Sequence, residues 1–170
     1  MAPFQQGGLD SLCGIYSLVN AEKIINKTKA EDSQKLFDEI VHFLEENKLL
    51  ASILTGGMLL KKMKLILKEV IGEKIPNKEL RFHGKPNPSL GAFWEEVTDF
   101  LNESHGRSVI FCLSGVHDHW TTIREITDNQ IKLFDSDGLG LLRRAFCTTA
   151  DSNNKRKHVI WPAQTLFLSK

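Results

Sequence analysis

Cys13 lies where a cysteine could act as a nucleophile. The segment around it reads Gln-Gln-Gly-Gly-Leu-Asp-Ser-Leu-Cys-Gly-Ile-Tyr over residues 5–16, and apolar spacing predicts a helix over residues 12–26, with Asp10 or Ser11 as its N-cap. A thiol is a poor nucleophile until it ionises, and the unpaired N–H groups at a helix N-terminus favour the thiolate. Gly14 leaves space beside the sulfur for a substrate carbonyl. Because most lone cysteines pack as small hydrophobes, this segment alone fits either role.

A cysteine nucleophile needs a base, and His119 is the first candidate. The base can come from far along the chain, and His119 begins a strand predicted over residues 119–126, so its ring can project from a sheet edge over the helix start. His117 lies on the same face if the strand extends back that far, and it is the second candidate. The other histidines are expected to be solvated loop residues: His42, His83, His105 and His158.

Asp135 is the predicted orienting acid. It closes a strand over residues 130–134, which should form a hairpin with the strand that begins at His119, through a turn at residues 127–129. Such a hairpin brings the end of its second strand beside the start of its first. Asp135 could then accept a hydrogen bond from the imidazole and fix its orientation. Asp137, which precedes Gly138, is the better turn residue.

An oxyanion hole is the fourth requirement of acyl transfer, because donors must meet the negative oxygen that develops in the transition state. The backbone N–H of Cys13 is one candidate donor. The side-chain amide of Gln6, on a glycine-containing loop just upstream, is the other, with Gln5 as its competitor. Both glutamines could equally be surface polar residues.

The elements that must position these residues run from helices to strands. Helical periodicity occurs over residues 12–26, 32–47, 57–71 and 89–101, and strand-like runs occur at 108–113, 119–126, 130–134, 158–161 and 165–168. Helices followed by strands predict an α+β fold, with N-terminal helices packed on a C-terminal antiparallel sheet. The 170 residues fit one domain, 1–170, with one core.

The composition narrows the classes of function. The chain has 22 Lys+Arg against 21 Asp+Glu, so neither nucleic acid nor an anionic membrane is an expected partner. The basic runs 61–64 and 155–158 should be solvated surface. No apolar run approaches the ~20 residues of a membrane span. Three cysteines and no recognisable secretory leader predict free thiols and a reducing, cytoplasmic setting.

No cofactor is expected. A metal site of His117 and His119 with Asp118 or Cys112 is a minor alternative, because the sequence has no CxxC or HExxH pattern.

Taken together, these residues resemble the papain-like superfamily of cysteine peptidases. The closest resemblance is to the C39-like peptidases, which include the leader-cleaving domains of bacteriocin exporters. The resemblance implies that Gln6, Cys13, His119 and Asp135 are oxyanion donor, nucleophile, general base and orienting acid. The Gln6–Cys13 gap is one residue longer than usual, which leaves Gln5 open, and Ser136 stands where proline is common. Residues 30–105 match no motif of the family.

The resemblance implies a bacterial thiol hydrolase that acts on a peptide or protein substrate, cleaving a peptide or isopeptide bond through a thioester. Cleavage after Gly-Gly would need a narrow cleft, and Thr55-Gly56-Gly57 could form one of its walls, although a loop at a helix start is the commoner role of such a run. The alternatives are a transferase or deamidase with the same triad, a non-catalytic binding module of the same fold, and a metal-dependent hydrolase. Oligomeric state is not indicated.

Overall fold

The helices precede nearly all of the strands along the chain. The structure is a computed structural model that describes residues 1–8 and 10–170. Within these ranges the helices are α1 (Cys13–Asn26), α2 (Ala30–Glu46), α3 (Leu50–Gly56), α4 (Leu60–Ile66) and α5 (Leu90–Glu103). A π-helical turn, Leu67–Ile71, extends α4, and single 3₁₀ turns cover Gly72–Lys74 and Arg144–Phe146.

One mixed sheet contains all the strands of the described residues. They are β1 (Asn77–Glu79), β2 (Arg107–Gly115), β3 (His119–Ile126), β4 (Gln130–Leu133), β5 (Leu141–Arg143), β6 (Cys147–Thr148) and β7 (His158–Ser169). Their order across the sheet is β1-β7-β2-β3-β4-β5, with antiparallel neighbours, and β6 pairs with β7 in parallel. The long strands β7, β2 and β3 form the centre, and His119 at the start of β3 pairs with Leu113 of β2.

The sheet separates two apolar clusters, because successive side chains of a strand point to opposite faces. On one face, Ile110 and Trp120 pack with apolar residues of α1, α2 and α4. On the other face, Val109 and Phe111 pack with Phe93 and other residues of α5. The molecule is therefore an α+β domain with helices on both faces of a mostly antiparallel sheet, and the predicted α+β class is confirmed.

Side-chain hydrogen bonds fix α1 against β3. The buried Ser17 hydroxyl donates to the Trp120 carbonyl at 2.9 Å, and the Thr122 hydroxyl donates to the Ser17 carbonyl at 3.0 Å. Trp120 Nε1 also donates to the Met58 carbonyl at 2.6 Å, which ties the segment before α4 to the same strand. Because these bonds are buried, loss of one partner would leave a polar group unsatisfied. They hold the first turn of α1 beside the first residues of β3.

The predicted elements are found with shifts of a few residues, and the differences have local causes. The predicted strands 158–161 and 165–168 are wrong as separate elements, because both belong to β7, where a bulge interrupts the register. Helix α3 was not predicted; a left-handed Lys48 separates it from α2, and only Ile53 is buried along it. The strands β1, β5 and β6 have two or three residues each, too few to produce an alternating pattern. None of the helices in the described residues has the length and apolar character that crossing a membrane requires.

Candidate active site

Cys13 is the first residue of α1 and is buried at the bottom of a cleft. The expected side-chain N-cap is not found, since Leu12 occupies the cap position without a capping side chain. Instead, the carboxylate of Asp10, two residues before Leu12, accepts hydrogen bonds from Gly7 N at 2.8 Å and Leu12 N at 3.1 Å. The first N–H groups of a helix have no intrahelical acceptor. Among the described residues, no acceptor outside the helix is found for the N–H of Cys13, which can therefore meet a ligand.

His119 and Asp135 form a buried pair beside Cys13. His119 Nε2 lies 2.7 Å from Asp135 Oδ2, and the two residues are 8% and 3% exposed. The other carboxylate oxygen, Oδ1, accepts from Asp137 N at 2.8 Å and Leu139 N at 2.9 Å, so the acid cannot rotate freely. Because Nε2 is held by Asp135, Nδ1 is the ring nitrogen left to meet Cys13, which lines the same cleft.

The pair stabilises the imidazolium. Burial by itself lowers the pKa of His119, but hydrogen bonds with Asp135 and Cys13 and the charges on both groups outweigh burial and raise that pKa to about 10. Burial by itself would raise the pKa of Asp135, yet the hydrogen bond from His119 and its charge keep that pKa below 3.8. At neutral pH the two groups therefore form an ion pair in a site largely closed to water, where such a pair is stronger than at the surface.

His117 does not join this group. The strand begins at His119 instead of extending back, so the strand alternation that would align the two rings is absent. His117 Nε2 instead lies 3.0 Å from His158 Nδ1, with the two rings stacked. Burial is the main reason that the pKa of each of these histidines is lowered. The expectation that His158 is a solvated loop residue is wrong, because it starts β7 and is only partly exposed. His42 is exposed but lies on α2 and not in a loop, whereas His83 and His105 are exposed loop residues as expected.

The two candidate glutamines point to different places. Gln6 lines the cleft together with Cys13 and His119. Its N–H donates to the Ser136 carbonyl at 2.9 Å, and its Oε1 accepts from the Ser136 hydroxyl at 3.2 Å, which leaves Nε2 as the end free for a ligand. The Gln5 amide is directed elsewhere, with Nε2 donating to the Asp135 carbonyl at 3.1 Å. Gln6 is therefore the glutamine placed to serve as a donor.

The cleft has a volume of about 890 Å³ and opens onto Cys13. Thr55, Gly56 and Gly57 line it at the end of α3, as the cleft-wall hypothesis requires, and a Cβ at either glycine would meet no neighbouring atom. Gly14 has another role than expected: a Cβ there would lie 2.9 Å from Met58 Cβ. The absent side chain makes room for Met58, whose carbonyl binds Trp120, and not for a substrate.

Several cleft residues were not identified from the sequence, among them Ser114, Trp161 and Gln164. They come together because the β7 bulge shifts the register between Phe111–Thr165 and Cys112–Trp161, and no sequence signal marks that bulge except Pro162. Cys112 also lines the cleft, but burial raises the pKa of its thiol to about 12, with smaller effects of Asp118 and Cys13. A thiol with that pKa is a poor nucleophile.

Within residues 1–8 and 10–170, no group of three or more His, Cys, Asp or Glu side chains is arranged to hold a metal ion. The three cysteines are all free. Comparison of the chain with family models, curated proteins and solved structures gave no match. The functional argument therefore depends on the geometry of the site.

Proposed function

We propose that this protein is a papain-like cysteine hydrolase that cleaves a peptide or isopeptide bond of a polypeptide substrate. The observation that carries the proposal is the buried His119–Asp135 pair in the cleft that Cys13 also lines, with the second ring nitrogen of His119 not used by Asp135. A nucleophile, a base and an orienting group in this order are the signature of covalent acyl transfer. The three free thiols fit a reducing, cytoplasmic setting.

The reaction begins with the Cys13 thiolate and the His119 imidazolium. The sulfur attacks the amide carbon, a C–S bond forms, and the carbonyl π electrons move to oxygen. As the tetrahedral intermediate collapses, the C–N bond breaks and the leaving nitrogen takes the proton from His119 Nδ1. Neutral His119 then removes a proton from water, the hydroxide attacks the thioester, and the Cys13 thiolate leaves. Asp135 holds the ring in place throughout and stabilises its charged form.

The tetrahedral oxygen needs donors that the cleft can supply. The candidate donors are the N–H of Cys13, at the start of α1, and Nε2 of Gln6, which lines the same cleft. The Ser136 hydroxyl donates to Oε1 at the opposite end of the Gln6 amide, which fixes the orientation of the amide. Donors fixed before the reaction need no reorganisation when the charge develops.

The proposal is tested by turnover of a peptide library in H₂¹⁸O, followed by mass spectrometry of the products. We expect the wild type to yield two fragments, with one ¹⁸O in the new carboxylate, and Cys13→Ala to yield none. Cys147→Ala removes a buried thiol outside the cleft and serves as the matched control, with turnover retained. Full activity of Cys13→Ala would disprove the mechanism. Transfer to an added amine would indicate a transferase, and a mass increase without chain cleavage would indicate a deamidase.

A further inference from the structure

The hydrogen bonds found in the described residues leave part of the Asp135 carboxylate without a donor. Oδ1 accepts from two backbone N–H groups, those of Asp137 and Leu139, whereas Oδ2 meets His119 Nε2 alone, at 2.7 Å. An ionised carboxylate offers about four lone-pair sites. Oδ2 therefore has room for a second donor, and bulk water has little access to it because Asp135 is only 3% exposed.

Thr121 carries a buried donor that lacks a partner. It is fully buried on β3, two residues after His119. Among the described residues, no hydrogen-bond partner is found for its hydroxyl oxygen, whereas the hydroxyl of the next residue, Thr122, donates to the Ser17 carbonyl at 3.0 Å. A buried hydroxyl without a partner costs free energy that the methyl group of a valine would not. Thr121 thus has a donor to offer, and Asp135 has an acceptor.

The sheet register brings Thr121 opposite Asp135. The ladder of β3 and β4 continues one residue past β4, because the Phe134 N–H donates to the Thr122 carbonyl at 2.8 Å. The next residues opposite each other in this register are Thr121 and Asp135. Directly opposite residues of an antiparallel pair have their Cβ atoms about 4.5–5.5 Å apart. Strand alternation also places His119 on the same face of β3 as Thr121, which agrees with the bond between His119 and Asp135.

The Thr121 hydroxyl also acts on the charge of Asp135. Burial by itself raises the pKa of Asp135, and the hydrogen bond of His119 and, next, the Thr121 hydroxyl lower that pKa. The hydroxyl is therefore close to the carboxylate, although the two groups do not meet the geometry of a full hydrogen bond.

We propose that Thr121 is a positioning residue that acts on His119 through Asp135: its hydroxyl is the second donor to Oδ2 and holds the carboxylate against Nε2. A change in the single side-chain torsion of Thr121 completes the hydrogen bond. With both oxygens held, the carboxylate stays ionised and the imidazole keeps the orientation that leaves Nδ1 for Cys13. The effect on turnover rests on the proposed hydrolase function, whereas the contact itself does not.

The test is urea unfolding of the wild type, Thr121→Val and Thr121→Ser at pH 7 and pH 3. Thr121→Val should raise the unfolding equilibrium constant roughly tenfold at pH 7, because a hydrogen bond to a charged group is lost. Folding lowers the pKa of Asp135, so this increase should shrink as pH falls and the carboxylate is protonated. Thr121→Ser keeps the hydroxyl. Its unfolding constant should therefore rise by the same factor at both pH values, through the lost methyl group alone.

Thr122→Val is the matched control, because Thr122 is equally buried on the same strand but its hydroxyl donates to an uncharged carbonyl. Its unfolding constant should rise by the same factor at pH 7 and pH 3. His119 and His117 are the titratable groups whose charges act together with that of Asp135, and both are retained in every variant. On one fluorogenic peptide, Thr121→Val should lower kcat roughly tenfold with little change in KM, and Thr121→Ser should restore kcat.

The outcomes separate this contact from the catalytic proposal. Thr121→Val as stable as the wild type at pH 7, or more stable, would overturn the inference, since that is the result for a buried hydroxyl that binds nothing. A loss of stability that is equal at pH 7 and pH 3 would overturn it as well. Neither result involves turnover, so both leave the hydrolase in place. An unchanged kcat in Thr121→Val would overturn the positioning role. A pH-dependent loss of stability in a chain that cleaves no library peptide would support the contact and overturn the hydrolase.

Discussion

Replacing Asp135 by asparagine tests how the site controls the protonation of His119. Asparagine keeps the shape of the side chain, and its carbonyl oxygen can still accept from Asp137 N and Leu139 N. The change removes the negative charge 2.7 Å from His119 Nε2. An NH₂ group aimed at the ring favours the neutral imidazole with its proton on Nδ1, the wrong nitrogen for a base facing Cys13. We expect kcat to fall by about 10²–10⁴.

The pH profile gives the sharper measure. In the wild type the pKa of His119 is raised from 6.5 to about 10, so the imidazolium persists and activity should decline only as pH rises through about 10. An opposite charge at this distance commonly shifts a pKa by about 1–3. Without the carboxylate, the alkaline limb of kcat/KM should therefore move down to between about pH 7 and 9.

The same pair stabilises the fold, with a sign that follows from the direction of each pKa shift. Folding raises the pKa of His119, so its contribution is complete below pH 6.5 and is lost as pH rises through about 10. Folding lowers the pKa of Asp135, so its contribution is present above pH 3.8 and is lost as pH falls through the lower folded value. Urea unfolding at several pH values measures the free energy of unfolding. Relative to the wild type, Asp135→Asn should lose the most of it near neutral pH.

The assay is kcat/KM between pH 5 and 11 on one fluorogenic peptide, for wild type and Asp135→Asn. Asp128→Asn is the matched control, because this aspartate is exposed in the turn at the other end of the same hairpin, and its alkaline limb should coincide with that of the wild type. If the limb of Asp135→Asn also stays near pH 10, Asp135 does not set the pKa of His119 and the reasoning is refuted.

Two further substitutions test other parts of the site. Gln6→Ala should lower kcat by about 10²–10³-fold with little change in KM, since an oxyanion donor acts in the transition state. Gln5→Ala should lower kcat far less, because the Gln5 amide binds the Asp135 carbonyl. A larger loss of kcat in Gln5→Ala than in Gln6→Ala would assign the role to Gln5. Gly14→Ala should destabilise the fold by about 1–3 kcal/mol, measured by urea unfolding, because its Cβ would lie 2.9 Å from Met58 Cβ. Unchanged stability of Gly14→Ala would show that the helix start can move away from Met58.

The positions of the proposed triad residues were predictable because each lies in or next to an element with a clear local signal. Apolar spacing places Cys13 at a helix start, and the turn at residues 127–129 pairs β3 with β4, so Asp135 has to end near His119. The proximity of Cys13 to His119, in contrast, could not be predicted from local signals. It depends on the buried bonds of Ser17 with β3, which leave no pattern in the sequence.

What the sequence could not predict is the wall of the cleft. Trp161 and Gln164 reach it through a bulge whose position is set by pairing with a strand about fifty residues earlier, between Phe111 and Cys112. The stacking of His117 on His158 depends on the same pairing of β2 with β7, which brings Gly115 beside His158. Local propensity carries no information about such long-range register.

The most direct test of the central claim is the rate at which iodoacetamide alkylates each cysteine at pH 7, followed by peptide mass spectrometry. Cys112 and Cys147 are internal references, since burial raises their pKa values to about 12 and about 11. The account predicts that Cys13 reacts at least ~100-fold faster than either reference, and that His119→Ala removes most of this difference. Alkylation of Cys13 at the rate of the references, or a rate unaffected by His119→Ala, would contradict it.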